Sequence, residues 1–367
     1  MKILFIGTPK RDAFNGVDFL VLGLQKIGVD FDHYPNILTQ SYGHTGTYQV
    51  KFDNVNISYP EYGTIVRKLK SKQYDLIITT VCHVDYKGGR HGLLSYMSRK
   101  IKYSLESNKY KMGGTLLVDW LKQGIRLPPI VVIDDLDDPF IHRVDYDLLE
   151  NCALYFKREL PFNRFLCFRL FKLANKELMD FAAKLRPFWF SYDLPSIASF
   201  TDIDEIKPYS ERDIDITFLG GIYMSYTRQM LLPLLDKLET KYKVIGPKNG
   251  RRPKSEFYEL LKRSKICISP DGRSWDTPKH YELLLCGGLV FYIRPTIELA
   301  IGLKDGENCA FIDNDLKNLE SLVEFYLSSP VKSAEIAKRG YEFAKNNLSN
   351  IKLAEYVLQT TKEAIGK

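Results

Sequence analysis

The stretch 271-DGRSWDTPKHYELLLCGGLVFYI-293 reads as a loop, a short helix and a strand. Thr277 suits an N-cap, and Pro278 suits the first helical position, where no N–H is needed and φ is preset. Leu283, Leu284 and Leu285 supply apolar surface. Gly287 or Gly288 can then take the left-handed position that ends a helix. Leu289 to Ile293 is apolar throughout, as expected of a strand covered on both faces in a parallel sheet. Lys279, His280 and Glu282 gather near the start of the helix. That end exposes free N–H groups and the positive end of the dipole, so it suits an anion such as a phosphate.

Working outward, the same alternation fills the chain. In the first half, KILFIG, YDLIITTV, PIVVID and CALYF read as strands. FNGVDFLVLGLQKIG, IVRKLKSKQ, TLLVDWLKQ and a long RFLCFRLFKLANKELMDFAAKL read as helices between or after them. Residues 201-TDIDEIKPYSERD-213 are polar and turn-rich, the composition of a linker. A second alternation follows, with strands at IDITFLGG, YKVIG, ICIS, LVFYI and CAFI, and the tail is helical. The expectation is an α/β chain of two Rossmann-like domains facing across a cleft, with C-terminal helices. The boundaries expected are 1–200, a linker at 201–213, 214–348, and a C-terminal helix at 349–367 that can cross back to the first domain.

At 367 residues, each domain can bury its own core. No apolar run approaches membrane-spanning length, and MKILFIGTP reads as a first strand instead of a leader, so a cytoplasmic location is expected. The six cysteines are scattered without zinc-ligand spacing, and we expect buried free thiols. The net charge of +7 falls entirely in residues 1–190, which hold 27 Lys and Arg against 20 Asp and Glu. Such a face admits an anionic partner, DNA or an acidic polymer, and equally a solvated lysine-rich surface.

Three groups of residues could carry chemistry. Gly220 and Gly221 end the strand of IDITFLGG, with Arg228 at the start of the next helix. Bare glycines let a diphosphate approach the backbone, and a guanidinium can clamp it. Lys279 supplies a point charge for phosphate, and Glu282, a turn further along, can accept two hydroxyl protons from a ribose. His280 can donate to a phosphate or simply pack. In the first half, 131-VVIDDLDDPF-140 ends a strand in four carboxylates. A carboxylate of this cluster, Asp134 and Asp135 among them, is a candidate base. The cluster also admits a divalent cation such as Mg²⁺ or Mn²⁺, or a capped turn. Gly7, His83 and Asp85 follow strands and can line the cleft on the acceptor side, with His83 better read as a packed residue. Lys157 and Arg158 are expected to leave the CALYF strand toward solvent.

Thr277, Glu282 and the Cys286-Gly287-Gly288 turn before a buried strand resemble the nucleotide-sugar site of GT-B glycosyltransferases, the spore-maturation-protein-like group in particular. That resemblance implies a nucleoside diphosphate sugar as co-substrate, Glu282 on its ribose, and no obligatory metal. Many retaining members carry a further Glu eight residues before the ribose one, where this chain has Ser274. A more distant likeness is to the bacteriophage DNA β-glucosyltransferase. There the Gly220-Gly221…Arg228 turn resembles the phosphate loop, and the base falls at Asp135, before Pro139-Phe140. Lys279 stands where that family has an arginine, and Met224 where it has a second one. The implied function is transfer of a sugar, with inversion, to a hydroxyl of a glycan, another cell-envelope polymer or a modified base in DNA. A protein of the same fold that binds nucleotide sugars or nucleic acid without turnover is the alternative.

Overall fold

The structure, a computed structural model, describes residues 1–7, 16–35, 57–82, 113–192, 206–247 and 252–366. Two parallel sheets form its frame. The first holds β1 (Ile3–Ile6), β2 (Phe31–Tyr34), β3 (Ile57–Ser58), β4 (Leu76–Thr80), β5 (Ile130–Asp134), β6 (Leu154–Lys157) and β7 (Leu185–Pro187), in the order β3-β2-β1-β4-β5-β6-β7. The second holds β8 (Ile214–Thr217), β9 (Val244–Ile245), β10 (Ser264–Ser269), β11 (Leu289–Ile293) and β12 (Ala310–Ile312), in the order β12-β11-β10-β8-β9. Every pairing between named strands is parallel. The central strands β1, β4, β5, β6 and β11 are buried along their whole length, which is why they read as unbroken apolar runs.

In each sheet the strand order reverses once, between β1 and β4 in the first and between β8 and β10 in the second. Neighbouring loops diverge at such a switch point and leave a crevice beyond the carboxyl ends of the strands. Gly7 follows β1 at the first of these, bonding Tyr34 and Gly113 through its backbone. Gly220, Gly221 and Asp271 follow β8 and β10 at the second.

The last helix, Asn350–Ile365, packs against the helix Gly16–Lys26 of the first half. Gly23 is required there, since a Cβ would lie 2.0 Å from the Asn350 carbonyl oxygen. Tyr356 Oη donates to the Pro187 carbonyl at 3.0 Å, and Leu353, Ala354 and Val357 join a core continuous with residues of both sheets.

Two sequence expectations are corrected. The long helix over RFLCFRLFKLANKELMDFAAKL is instead a 3-10 turn, Arg164–Phe168, and a separate helix, Asn175–Lys184. Asn163 caps the first, accepting from Phe165 N. Glu177 starts the second, accepting from Ala174 N at 2.8 Å, while the Cys167 carbonyl is taken by Ile141 N. FDHY, read as no element, is β2. Its Asp32 is wholly buried and accepts from Tyr74 Oη, Lys68 Nζ and Ser58 Oγ.

All six cysteines are buried and unpaired. Among the described residues, no helix is long and apolar enough to cross a membrane.

Candidate functional site

The helix Pro278–Leu285 begins as its sequence implies, with Pro278 at its first position, and Gly287 takes φ +69° just beyond its end. Arg212 and its neighbours leave no room for side chains at the glycine pair. The buried Arg212 guanidinium donates to the carbonyls of Cys286 at 2.9 Å and Ser264 at 2.8 Å; a Cβ on Gly287 would lie 3.0 Å from it and 2.5 Å from Ile206, and one on Gly288 would lie 3.0 Å from Cys267 Sγ and the Ser264 carbonyl oxygen. A cation on these carbonyls also suits the negative end of the helix. Thr277 departs from expectation: its hydroxyl makes no capping bond and is buried without a hydrogen-bond partner.

At the switch point of the second sheet, Arg228 and Lys279 converge. A Cβ on Gly220 would lie 3.2 Å from Lys279 Nζ and 3.5 Å from Arg228 Nη1; one on Gly272 would lie 3.5 Å from Arg228 Nη2. The two glycines therefore make room for two cations in one place. Arg228 is anchored by backbone carbonyls only, Asp271 at 2.7 Å and Gly221 at 3.0 Å. Lys279 Nζ is buried, lies 4.8 Å from the centre of the Phe218 ring, and has no hydrogen-bond partner. Neither cation forms an ion pair among the described residues. Burial, and then the charge of Arg228, bring the Lys279 pKa down to about 7. Like charges held together out of water are costly unless an anion joins them.

Glu282 lies on the same helix, three residues beyond Lys279. It is 6% exposed, and Lys254 Nζ lies 3.4 Å from its Oε1. Burial raises its pKa to about 8. Hydroxyl donors to its oxygens would favour the ionised form. His280 is turned the other way. Its Nδ1 meets Ser269 Oγ at 2.7 Å and its Nε2 donates to the Trp275 carbonyl at 2.6 Å, with burial pushing its pKa down to about 3. Both ring nitrogens are thus occupied, which is the packing role and leaves none for a phosphate.

The four carboxylates after β5 separate. Asp134 is wholly buried and accepts from Lys157 Nζ and Tyr155 Oη, each at 2.9 Å, so it is spent on the core. Asp138 meets His142 at 3.1 Å, and Asp137 meets Arg158. Asp135 is 5% exposed, and its carbonyl accepts from Arg158 Nε at 3.0 Å. Arg158 also donates to the Asp276 carbonyl at 2.7 Å, which ties the β5 loop to the loop entering the helix Pro278–Leu285. One guanidinium thus holds the backbone of both Asp135 and Asp276. Lys157 and Arg158 do not leave toward solvent. Both are 0% exposed, because each finds its partners inside the protein. Gly7 is buried at the end of β1, while His83 and Asp85 lie outside the described residues. Among the described residues, no group of three or more His, Cys, Asp or Glu side chains is placed to hold a metal ion.

The architecture matches solved structures along nearly its whole length. Sucrose-phosphate synthase from Thermosynechococcus elongatus superposes with a TM-score of 0.52, at 11% identity over 100% of this chain and 99% of that one. A glycosyltransferase from Rickettsia africae gives 0.52 at 10% identity, covering 99% of this chain and 98% of its own. The Anabaena protein HepE, solved with UDP and glucose, gives 0.50 at 12% identity over 99% and 100%. The chain has the GT-B fold. Residues 227–359, which include Arg228, Lys279 and Glu282, match a family model described as glycosyl transferase-like. No curated protein matches the sequence.

Proposed function

We propose that this GT-B chain is a glycosyltransferase that moves a sugar from a nucleoside diphosphate donor to a hydroxyl acceptor. The observation that carries the reading is the meeting of Arg228 and Lys279 at the glycine-walled switch point, where the buried Lys279 Nζ has no hydrogen-bond partner and Arg228 is hydrogen-bonded to backbone carbonyls. A diphosphate supplies the missing charge, and the Thr277 hydroxyl and the head of the helix Pro278–Leu285 add donors to it. Glu282, one turn on, takes the ribose hydroxyls.

The chemistry follows from these placements. As the bond between sugar and diphosphate breaks, negative charge grows on the leaving phosphate, and preorganised cations in a dry site stabilise that change most. Asp135 takes the proton of the acceptor hydroxyl as its oxygen attacks the anomeric carbon from the opposite face, which inverts that centre. Ser274 agrees with inversion, since the extra carboxylate of many retaining relatives is absent from that position.

Donor hydrolysis tests the proposal without knowledge of the acceptor. The protein is expected to release nucleoside diphosphate slowly from UDP-glucose or GDP-mannose. Glu282→Ala is expected to abolish that release, and the exposed Glu342→Ala to leave it unchanged. No release from either donor, or an equal effect of both substitutions, contradicts the proposal.

A further inference from the structure

The seam between the two halves of the chain is built around one guanidinium. Arg158 follows β6, is 0% exposed, and spends every nitrogen. Nε donates to the Asp135 carbonyl at 3.0 Å. Nη1 donates to Glu159 Oε1 at 3.0 Å, Ser274 Oγ at 3.1 Å and the Asp276 carbonyl at 2.7 Å; Nη2 donates to Asp137. Its Cζ lies 4.3 Å from the centre of the Phe190 ring. Glu159 completes the hold, its two oxygens accepting from Trp275 N and Asp276 N, each at 3.0 Å. The Asp276 carboxylate in turn accepts from Phe190 N at 2.7 Å and from Tyr281 Oη.

Residues 274–276 are therefore held from across the seam by Arg158, Glu159 and Phe190, and the next residue begins the cap of the helix that carries Lys279 and Glu282. The same guanidinium fixes the backbone of Asp135. We infer that Arg158 and Glu159 are positioning residues: they set the spacing between the base and the paired cations, and hence the geometry of attack on the donor. This inference rests on the proposed transferase reading.

A planar fork with five N–H donors can reach the carbonyls of Asp135 and Asp276 at once, whereas an ammonium on a single stem cannot. Stability alone gives a weak reason for such an arrangement, because a buried ion pair is often no better than apolar packing of the same volume. Placement gives a stronger one, since a displacement of about 1 Å at a reacting centre can cost roughly a hundredfold in rate.

The test is a double-mutant cycle on UDP-glucose hydrolysis by the full chain, where water takes the place of the acceptor. Arg158→Lys is expected to lower kcat by about 10- to 100-fold with KM for the donor within about threefold. In an Asp135→Asn background it is expected to add nothing, because the path through Asp135 is already lost. Ser274→Ala removes one neutral bond to Arg158 and none of the charge. It is expected to lower kcat by a smaller factor, again only while Asp135 is present, and it decides the matter if Arg158→Lys does not fold. Losses that multiply in the double variants, or an unchanged kcat in Ser274→Ala, overturn the inference. Wild-type protein that binds UDP but hydrolyses neither UDP-glucose nor GDP-mannose also overturns it, while leaving the diphosphate site standing. If UDP and GDP both fail to bind, the transferase reading falls and this role falls with it.

Discussion

Replacing Lys279 with methionine should make the empty protein more stable and the site useless. The methionine keeps an apolar stem of similar length against Phe218 but carries no charge into the buried position. The lysine pKa falls from 10.5 to about 7, and each unit is worth about 1.4 kcal/mol, so the buried charge costs on the order of 5 kcal/mol as a ceiling. The sign follows from the direction of that shift. Between pH 10.5 and about 7 the unfolded chain holds a proton that the folded site refuses, so the penalty grows as pH falls through this window. Below about pH 7 it is fully present. Local relaxation, water entry and the Phe218 ring reduce it, and a net gain of about 1–2 kcal/mol is expected for Lys279→Met, at roughly 2–4 °C of melting midpoint per kcal/mol. The assay is thermal unfolding at pH 6.5 and pH 9.5, with and without UDP or GDP. Without ligand the variant should melt higher at pH 6.5, with a smaller difference at pH 9.5. With ligand the wild type should gain more than the variant, which has lost a charged phosphate contact worth about 1.5–3 kcal/mol. A variant that melts below wild type at pH 6.5 and responds fully to the ligand refutes the reasoning.

Asp135→Asn is expected to lower donor hydrolysis by about 10²- to 10⁴-fold while calorimetric affinity for the nucleoside diphosphate is unchanged, since a base acts on the attacking oxygen and not on the phosphates. Lys157→Met leaves the wholly buried Asp134 without its cation, which should cost about 3–5 kcal/mol in urea unfolding; Arg294→Met, at an exposed pair, should cost less than about 1 kcal/mol. Gly23→Ala drives a methyl into the Asn350 carbonyl. It should lower stability by about 1–3 kcal/mol and increase proteolysis around the helix Asn350–Ile365.

Much of the frame was legible because local cues agreed. Runs such as LIITT and IVVID are apolar on both faces, and the Pro278 start and Gly287 stop of the key helix are chemical requirements of those positions. What stayed hidden depended on distant partners. FDHY looks polar until Tyr74, Lys68 and Ser58 gather round Asp32. Arg158 and Glu159 resemble a surface pair, because the groups that bury them lie at Ser274, Trp275 and Asp276, more than a hundred residues away. His280 was visible, but its Ser269 and Trp275 partners were not. Lys279 did carry a local signal: a cation in the first turn opposes the helix dipole, and such a placement needs an anion to justify it. The same argument works against Asp134. Its neighbours in sequence are carboxylates, yet the cation that claims it comes from the adjacent strand β6.

The central claim is that Arg228 and Lys279 form a seat for a diphosphate, and titration calorimetry with UDP, GDP and the matching nucleosides tests it most directly. The account predicts that one of the two diphosphates binds at one per chain, takes up protons at pH 8 as Lys279 recharges, and weakens at least tenfold in Lys279→Met, while its nucleoside binds far more weakly. Binding of the nucleoside as tight as that of its diphosphate, or no binding of either diphosphate at millimolar concentration, would contradict it.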